Sequence, residues 1–481
     1  MAIPRRCADM IIDPRMLRDR LAAPEVLLAP QWLMLADGPV AGHAVLVRDG
    51  RFAAVGTRAD LAHAYPACAP LDLPDMLVMP GFVDTHHHLT QSLGKALAFG
   101  EPSEIFRRIW VPLEASLDER SLYVSAKLAA LEALRGGFTT VCDAGTRAHG
   151  GLEAIARATG DAGIRCVLGL TCNDLGSAVP RAQLLAEAER FLARWPADGL
   201  VHPSLAISIA EAASDAQLAE ISALAAARGA VFQIHVNEHL ASVERSLVAR
   251  GQRPLEHLDA VGALGPHALV AHATLMAPHE YNLLRESGAA VAYNPVASAW
   301  KGNAVANAPL LAALGIRFGL GTDGTRSDGF RLMDAAETAQ RLTAGIANGD
   351  SSCGGGWLWL DRATRGGADA AGLGACTGAI AAGRAADFLL VDLDVPEMKP
   401  SWDLTWELVR FGARDQIVAV HVAGRLRLWR GAPVDWDHRA LLAEVDAIAR
   451  EAVARAPIQK IHPGSREHRA AMRARGWEKP V

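Results

Sequence analysis

The chain contains 481 residues, of which 51% are hydrophobic, 21% charged and 5% aromatic, and its formal net charge is −5. This balance excludes a disordered chain, which is poor in apolar residues, and a strongly basic nucleic-acid binder. The mean hydropathy is +0.13, yet the apolar runs stay shorter than the ~18–20 residues that span a bilayer. We therefore expect a soluble globular protein that binds neither nucleic acid nor membranes.

The N-terminal segment, 1–79, is predicted to supply one part of a small β-sandwich. It begins with Met-Ala-Ile-Pro-Arg-Arg, which lacks the apolar core of a signal peptide, so we expect a cytoplasmic protein. Two alternating apolar runs flank Asp49-Gly50, a dipeptide typical of a tight hairpin turn. The seven cysteines form no Cys-x-x-Cys pair, which favours reduced thiols over a disulfide framework or a thiolate metal site.

The middle segment, 80–380, alternates short apolar runs with alanine-rich stretches of helical length such as Leu122–Leu134 and Ala216–Ala227. Regular alternation of this kind indicates a parallel sheet, and a count of eight strands favours a closed (β/α)₈ barrel. An open doubly wound sheet stays the alternative, although no Gly-x-Gly-x-x-Gly follows the first strand. The predicted strands are Phe82–Asp84, Thr139–Asp143, Arg165–Gly169, Ser204–Ile209, Val231–His235, Ala268–Ala271, Ala290–Tyr293 and Arg317–Gly321.

The C-terminal part returns to short strands over 381–434, which we expect to complete the β-sandwich begun by 1–79. Residues 435–481 are predicted to contain a helix, Ala440–Ala456, followed by a basic and less ordered tail. The fold class predicted from these patterns is α/β, with one large barrel and a small β-sandwich built from both chain ends.

Polar side chains mark the ends of four predicted barrel strands. Catalytic groups of such barrels lie at the carboxyl ends of the strands. His86 and His88 are two positions apart in an extended segment, so both imidazoles can face one point. His235, His272 and Asp323 end three further strands. Imidazole and carboxylate ligands suit zinc or iron, so the set indicates a divalent metal site.

These motifs together resemble the amidohydrolase superfamily of metal-dependent hydrolases. The resemblance covers about residues 26–430 and implies a distorted (β/α)₈ barrel with a small β-sandwich. The matching motifs are Pro-Gly-Phe-Val-Asp-Thr-His-His-His at 80–88, His-Val-Asn-Glu at 235–238, His272, Gly-Thr-Asp-Gly at 321–324, and Gly-Arg-Ala-Ala-Asp-Phe-Leu-Leu-Val-Asp at 383–392.

The resemblance also implies a ligand set. Members with two metals carry a carboxylated lysine at the end of strand four, and this chain has no lysine over 205–211. We therefore expect one divalent ion, Zn²⁺ or alternatively Fe²⁺. The expected ligands are His86, His88, His235 and Asp323.

Glu238, three residues after His235, resembles the glutamate that shuttles protons in the deaminase branch of the superfamily. In that branch Asp323 and His272 would take a proton from the attacking water, and Glu238 would protonate a ring nitrogen. The resemblance thus implies a hydrolytic deaminase that releases ammonia from an amino-substituted purine, pterin or triazine-like ring through a metal-bound hydroxide. Hydrolysis of another C–N or C–Cl bond stays open, as does a catalytically silent assembly scaffold.

The substrate contacts are less sharply indicated. The run His86–Leu93 resembles the first motif of 8-oxoguanine and isoxanthopterin deaminases, in which the equivalent of Gln91 pairs with the edge of a fused ring. Each candidate has a structural alternative: Gln91 could order a loop, Trp110 could pack in the core, and Arg326 could pair with Asp328. The full set of expected contacts is Gln91, Trp110, Asn173, Trp300 and Arg326. The resemblance also suggests a homodimer or a larger homo-oligomer.

Overall fold

The computed structural model describes residues 13–101, 105–148, 150–324, 326–462 and 466–476. The predictions for the N-terminal hexapeptide and Cys7, and for the end of the basic tail at 477–481, lie outside the described residues. The seventeen strands of the described residues are β1 (Glu25–Leu35), β2 (Gly38–Ala41), β3 (His43–Arg48), β4 (Arg51–Thr57), β5 (Leu71–Pro80), β6 (Phe82–His87), β7 (Phe138–Asp143), β8 (Arg165–Thr171), β9 (Val201–Ile209), β10 (Phe232–Val236), β11 (Ala268–His272), β12 (Ala290–Tyr293), β13 (Phe318–Leu320), β14 (Phe388–Asp392), β15 (Ile417–Val422), β16 (Arg425–Trp429) and β17 (Ala432–Pro433).

Helices separate most of these strands, and short 3₁₀ or π-helical turns extend several of them. The α-helices of the described residues are α1 (Pro14–Leu21), α2 (Arg58–Ala64), α3 (Val111–Ala115), α4 (Glu119–Arg135), α5 (Leu152–Ala162), α6 (Arg181–Leu192), α7 (Asp215–Ala227), α8 (Leu240–Arg250), α9 (Pro254–Ala260), α10 (Pro278–Ser287), α11 (Pro295–Lys301), α12 (Ala308–Ala313), α13 (Gly329–Gln340), α14 (Ile346–Asn348), α15 (Gly355–Ala363), α16 (Arg365–Ala370), α17 (Leu404–Arg410), α18 (His438–Arg455) and α19 (Arg466–Ala474). None of them is long and apolar enough to cross a membrane.

The eight strands β6 to β13 form one parallel sheet in sequential order. The backbone N–H of Asp323, just after β13, donates to the carbonyl of His86 in β6 at 2.8 Å, so the last strand returns beside the first. This arrangement confirms the predicted α/β barrel and removes the open doubly wound alternative. The eight predicted strands are all present, with ends that differ by up to three residues.

Burial on both faces explains why these strands lack a polar alternation. Every residue of β7, β11 and β12 is buried, because barrel side chains fill the inside while helices cover the outside. Helix α4 begins with a capping box in which the Asp118 carboxylate accepts from the Ser121 backbone N–H. It packs against β7 and buries a row of alanine and leucine side chains.

A second, nine-stranded sheet is built from both ends of the chain. Its order is β17-β16-β15-β14-β5-β1-β3-β4, with β2 beside β1, and most of its neighbours are antiparallel. The predicted hairpin is present as β3 and β4, and Asp49 and Gly50 at its turn have φ values of 52° and 76°. Strands β5 and β14 pair although about 300 residues separate them in the chain. This pairing agrees with the domain boundaries expected at residues 79, 380 and 434, which stay a prediction.

The tail differs from its prediction. Helix α18 matches the predicted helix within two residues, but the following basic segment is not uniformly irregular, because Arg466–Ala474 forms α19. Arginine and alanine are both good helix formers, and this segment is rich in them.

Candidate active site

Five of the predicted site residues gather at the carboxyl-terminal end of the barrel. His86 lies in β6, His88 just after it, His235 in β10, His272 at the end of β11, and Asp323 just after β13. Four of the five side chains are at most 5% exposed, and the His235 residue is partly buried. Strands that are far apart in sequence thus bring four imidazoles and one carboxylate to one point.

The nitrogen and oxygen atoms of this cluster lie close enough to share one ion. The Nε2 atoms of His88 and His235 are 3.3 Å apart. Asp323 Oδ1 is 3.5 Å from His86 Nε2 and 3.3 Å from His88 Nε2. The donor atoms of His86, His88 and His235 all lie within 4.8 Å of one another, as do those of His86, His272 and Asp323.

The chemistry of the donor set fits a divalent ion such as zinc. The Nε2 atoms of His86 and His272 are buried without a well-formed hydrogen bond to any described residue. Buried polar atoms are nearly always satisfied, so unpartnered atoms that converge on one point indicate a ligand. Burial also lowers the pKa of His88 to about 4 and that of His272 to about 3, which keeps both imidazoles neutral near pH 7.

Neighbouring groups fix how two of the histidines face. The Nδ1–H of His235 donates to the carbonyl of Ser208 at 2.7 Å, which leaves Nε2 turned toward the cluster. His87 is turned away from the cluster, and its Nδ1 lies 2.7 Å from Thr322 Oγ1 and 3.2 Å from Asp84 Oδ2. Burial lowers the pKa of His87, but the hydrogen bond to Asp84 and the negative charges of Asp84 and Asp143 together outweigh burial, so the pKa is raised.

The strand ends that carry these residues have strained backbones. His272 and Asp323 have φ values of 77° and 53°, and Asn237, beside Glu238, has a φ of 53°. Left-handed conformations of residues other than glycine cost free energy and are concentrated at functional sites. Gly321 is required for a different reason: a Cβ there would lie 2.2 Å from Asn294 Oδ1 and 3.0 Å from the Cβ of His86.

Glu238 lies beside the cluster and shares a lysine with it. Its Oε2 is 3.6 Å from His272 Nε2. The ammonium of Lys301 lies 2.7 Å from Glu238 Oε1 and 2.6 Å from Asp323 Oδ2. Burial raises the pKa of Asp323, but Lys301 and the neighbouring histidines outweigh burial and lower it well below its usual range. The aspartate is therefore ionised near pH 7.

Lys301 was missed from the sequence because it follows no strand directly. It is the last residue of helix α11, which begins immediately after β12 and returns its end over the barrel. The sequence offered one signal, a charged residue beside the predicted contact Trp300. A position at the end of a helix lies outside the strand ends where catalytic groups of such barrels are expected.

A cavity opens onto the cluster. Three of the predicted substrate contacts, Gln91, Trp110 and Trp300, are among the residues that line it, together with Glu238 and Lys301. The indole Nε1 of Trp300 is buried and has no hydrogen-bond partner among the described residues. Trp110 is 7% exposed and also belongs to a hydrophobic cluster, so it both packs and lines the cavity.

The structure does not bring the other two predicted contacts to the cavity wall. Asn173 forms two hydrogen bonds of 3.0 Å with Ser208. Because Ser208 lines the cavity, the Asn173 side chain supports the cavity wall from behind. Arg326 pairs with Asp328 at 3.2 Å and is 43% exposed. Its ion pair is the structural alternative that the sequence left open, and the arginine is not among the described residues lining the cavity.

A buried histidine and aspartate cluster at the carboxyl end of a (β/α)₈ barrel, beside a second sheet from both chain ends, defines the class of metal-dependent barrel hydrolases. Residues 77–427 match the amidohydrolase family. This span covers most of the chain, and the chain belongs to that family. The family predicted from the sequence motifs is confirmed, and the protein is an enzyme.

Relatives over nearly the whole chain carry the names of deaminases. A 5-methylthioadenosine/S-adenosylhomocysteine deaminase of Syntrophobacter fumaroxidans is 31% identical over 409 residues, which are 84% of this chain and 91% of the relative. A 5′-deoxyadenosine deaminase of Methanopyrus kandleri is 29% identical and covers 82% of this chain and 91% of its own.

Solved structures agree with this assignment of the fold. A zinc-bound adenosine deaminase from Xanthomonas campestris superposes with a TM-score of 0.82 at 26% identity, over 89% of this chain and 99% of its own. An atrazine chlorohydrolase from Arthrobacter aurescens, complexed with zinc, has a TM-score of 0.78 at 20% identity over 88% of this chain and 100% of its own. The second likeness shows the fold alone.

Proposed function

We propose that this protein is a metal-dependent hydrolytic deaminase that releases ammonia from an amino-substituted purine or purine-like ring. The observation that carries the proposal is the contact between Glu238 and the His and Asp cluster at the floor of one cavity. Deamination needs a proton donor and an activated water. An acid placed beside a metal site brings the two together. The deaminase names of the relatives support the same reaction.

The residues present divide the chemistry among them. His86, His88, His235 and Asp323 would hold the ion, which supplies a water whose pKa is lowered toward ~7. Asp323 Oδ2 lies 3.9 Å from His272 Nε2, and these two groups would receive the proton that the attacking water gives up. Glu238 would protonate the ring nitrogen next to the amino-bearing carbon. It would then take back a proton from the hydroxyl that has added to that carbon and help deliver a proton to the departing amine.

Zinc is the ion we propose, because the donor set suits it and the adenosine deaminase of similar fold contains it. Metal analysis of protein purified without added metal distinguishes zinc from iron. The cytoplasmic location and the homodimer or larger assembly stay predictions. Cell fractionation tests the first of these, and light scattering of the purified protein tests the second.

A panel of aminated purines, pterins and triazines, with coupled detection of ammonia, tests the reaction. The metal-loaded protein is expected to release ammonia from at least one purine-like ring, and a chelator is expected to abolish the release. Release of chloride or an alkylamine in place of ammonia would support the alternative hydrolase. A purified protein that contains no metal and is not rescued by zinc would support the silent scaffold.

Replacing Glu238 by glutamine separates proton transfer from metal binding. Because glutamine keeps the shape of the side chain but cannot donate a proton in this way, we expect kcat to fall by about 10²–10⁴-fold. Zinc content should stay at the wild-type value, since Glu238 is not among the proposed ligands. Glu256→Gln on helix α9 is the matched control, because Glu256 does not line the cavity. High activity in Glu238→Gln would remove the assigned role.

A further inference from the structure

The cavity wall beside Asp323 contains a side-chain amide held by a buried carboxylate. Gln91 ends the short 3₁₀ turn Leu89–Gln91 that follows β6, and it is 4% exposed. Its Nε2 donates to Oε1 of Glu114 at 3.1 Å. Glu114 lies in helix α3, is fully buried, and is not among the residues that line the cavity.

The orientation of the Gln91 amide follows from the chemistry of Glu114. Both oxygens of this carboxylate accept several hydrogen bonds. Oε1 accepts from Thr90 Oγ1, from Gln91 Nε2 and, at 3.5 Å, from the guanidinium of Arg147, and Oε2 accepts from the backbone N–H and the guanidinium of Arg147. A carboxylate has only acceptors. A rotated Gln91 would place its carbonyl oxygen against another acceptor, so Nε2 must face Glu114.

The carbonyl oxygen of Gln91 is then the atom left for the cavity. No described residue donates a hydrogen bond to it. A Cβ built on Gly324 would lie 3.0 Å from this oxygen, which places the oxygen beside the turn that carries Asp323. An acceptor is therefore fixed close to the reacting end of the cavity.

We propose that Glu114 is a positioning residue that sets specificity, because it holds Gln91 with its acceptor toward the substrate. The site then selects aminated heterocycles that present a ring N–H, as a lactam does, over rings that present an unprotonated nitrogen at the same edge. This inference rests on the proposed deaminase function. The substrates in the names of the relatives contain an adenine ring, which carries no such N–H. We therefore expect adenine rings to bind this site more weakly.

Guanine and 2-aminopurine form a matched pair of probes. Both carry the amino group on the same carbon and both are uncharged near neutral pH, but only guanine has a lactam N–H next to that carbon. Two facing acceptors leave a buried group unpaired, so zinc-loaded wild type should prefer guanine by at least about ten-fold in kcat/KM. Dissociation constants for hypoxanthine and purine, which have no amino group to lose, measure the same preference without turnover.

Glu114→Gln should invert the orientation of Gln91. The new amide keeps its oxygen on the Arg147 backbone N–H and turns its NH₂ toward Gln91, which rotates and presents Nε2 to the cavity. The preference for the lactam should fall by at least about ten-fold in both measurements. Gln91→Met removes the acceptor and should bring both ratios near one, which serves as the second variant if Glu114→Gln does not fold.

Glu337→Gln is the control for losing a buried carboxylate. Glu337 is fully buried and pairs with Arg410 at 2.8 Å, away from the cavity, and its variant should keep the wild-type ratios. Unchanged ratios in Glu114→Gln and Gln91→Met, or a wild-type binding ratio near one, would overturn the inference. A binding preference without ammonia release from any ring would instead contradict the proposed function and leave the inference standing.

Discussion

At the scale of single residues, Lys301 decides how the two carboxylates of the site are presented. It contacts the outer oxygens, Oε1 of Glu238 and Oδ2 of Asp323. Of the remaining oxygens, Glu238 Oε2 faces His272, and Asp323 Oδ1 faces His86 and His88. The ammonium between the two carboxylates compensates one of their two negative charges, and a divalent ion would more than compensate the other.

Lys301→Met should therefore destabilise the metal-free protein more than the zinc-loaded protein. Removing one partner of a buried ion pair costs about 3–5 kcal/mol of unfolding free energy. Zinc supplies positive charge to the same carboxylates, so it should stabilise the variant more than it stabilises the wild type. Urea unfolding with and without zinc measures both effects.

Lys95→Met is the control, because the pair of Lys95 with Glu132 is more exposed, with the lysine side chain 58% exposed. Its loss should change the unfolding free energy by less than about 1 kcal/mol. Equal zinc stabilisation of wild type and Lys301→Met would show that Lys301 does not act on the metal-site carboxylates.

At the scale of elements, the chain segments that follow β12 and β13 approach each other closely because residue 321 is a glycine. Gly321→Ala places a methyl group against Asn294 and His86, both of which pack around the cluster. The amide nitrogen of Asn294 lies 3.2 Å from His272 Nδ1, so a displaced Asn294 also disturbs His272. We expect lower zinc affinity and a lower melting temperature, measured by metal titration and calorimetry.

Gly160→Ala is the matched control for this substitution. Gly160 lies inside helix α5, and a Cβ there would meet nothing within 4 Å. Alanine is the better helix former by about 1 kcal/mol, so the control should raise stability without changing zinc affinity. Unchanged zinc binding in Gly321→Ala would contradict the close approach.

Strand β15 contains a histidine that makes stability depend on pH. His421 is fully buried, stacks on Phe388 with ring centroids 4.2 Å apart, and donates from Nε2 to the carbonyl of Leu21 at 3.0 Å. Burial lowers its pKa from 6.5 to about 4. Because the unfolded chain takes up the proton first, stability is lost as the pH falls below 6.5 and the loss is complete near 4.

His421→Gln should remove this contribution. Between about pH 7.5 and pH 5 the wild type should lose about 2 kcal/mol more unfolding free energy than the variant. Urea titrations of both proteins at the two pH values measure the difference. Parallel losses in the two proteins would show that other groups account for the pH dependence.

At the scale of the whole molecule, one buried ion pair joins the barrel to the second sheet. Arg165 begins β8, and its guanidinium donates to Asp387, the residue before β14, at 3.1 Å. The carboxylate also accepts from Thr377 Oγ1 and from the backbone N–H of Ala423. The Arg165 and Asp387 side chains are 3% and 0% exposed.

Arg165→Met should destabilise the protein by about 3–5 kcal/mol, because it leaves the Asp387 charge buried without its cation. Arg58→Met breaks an ion pair with Asp72 whose side chains are 51% and 60% exposed, and should cost less than about 1 kcal/mol. Urea unfolding followed by tryptophan fluorescence compares them. A similar loss of unfolding free energy in both variants would show that the Arg165–Asp387 pair does not stabilise the protein as a buried ion pair.

The barrel was predictable because its signals are local. Each strand is a short apolar run followed by helical sequence, and the polar residues at its end mark the site, as His235 and Asp323 do. The hairpin at Asp49-Gly50 was predictable for the same reason, since two residues with positive φ define its turn.

The parts that escaped prediction depend on side chains meeting across the fold. Lys301 reaches the cluster only because helix α11 folds back over the barrel, and Glu114 matters only because Gln91 lies against it. No spacing in the chain encodes either contact. Arg326 shows the converse, since its position after Asp323 resembled a site residue while its side chain pairs with Asp328.

The pairing of β5 with β14 also constrains the order in which the protein is made. Strand β5 is complete at residue 80, but its partner β14 begins at residue 388. During synthesis the ribosome must therefore deliver all eight barrel strands before that edge of β5 is covered. Until then an apolar strand edge stays open to other nascent chains, so expression of this enzyme should depend on chaperones that bind such edges.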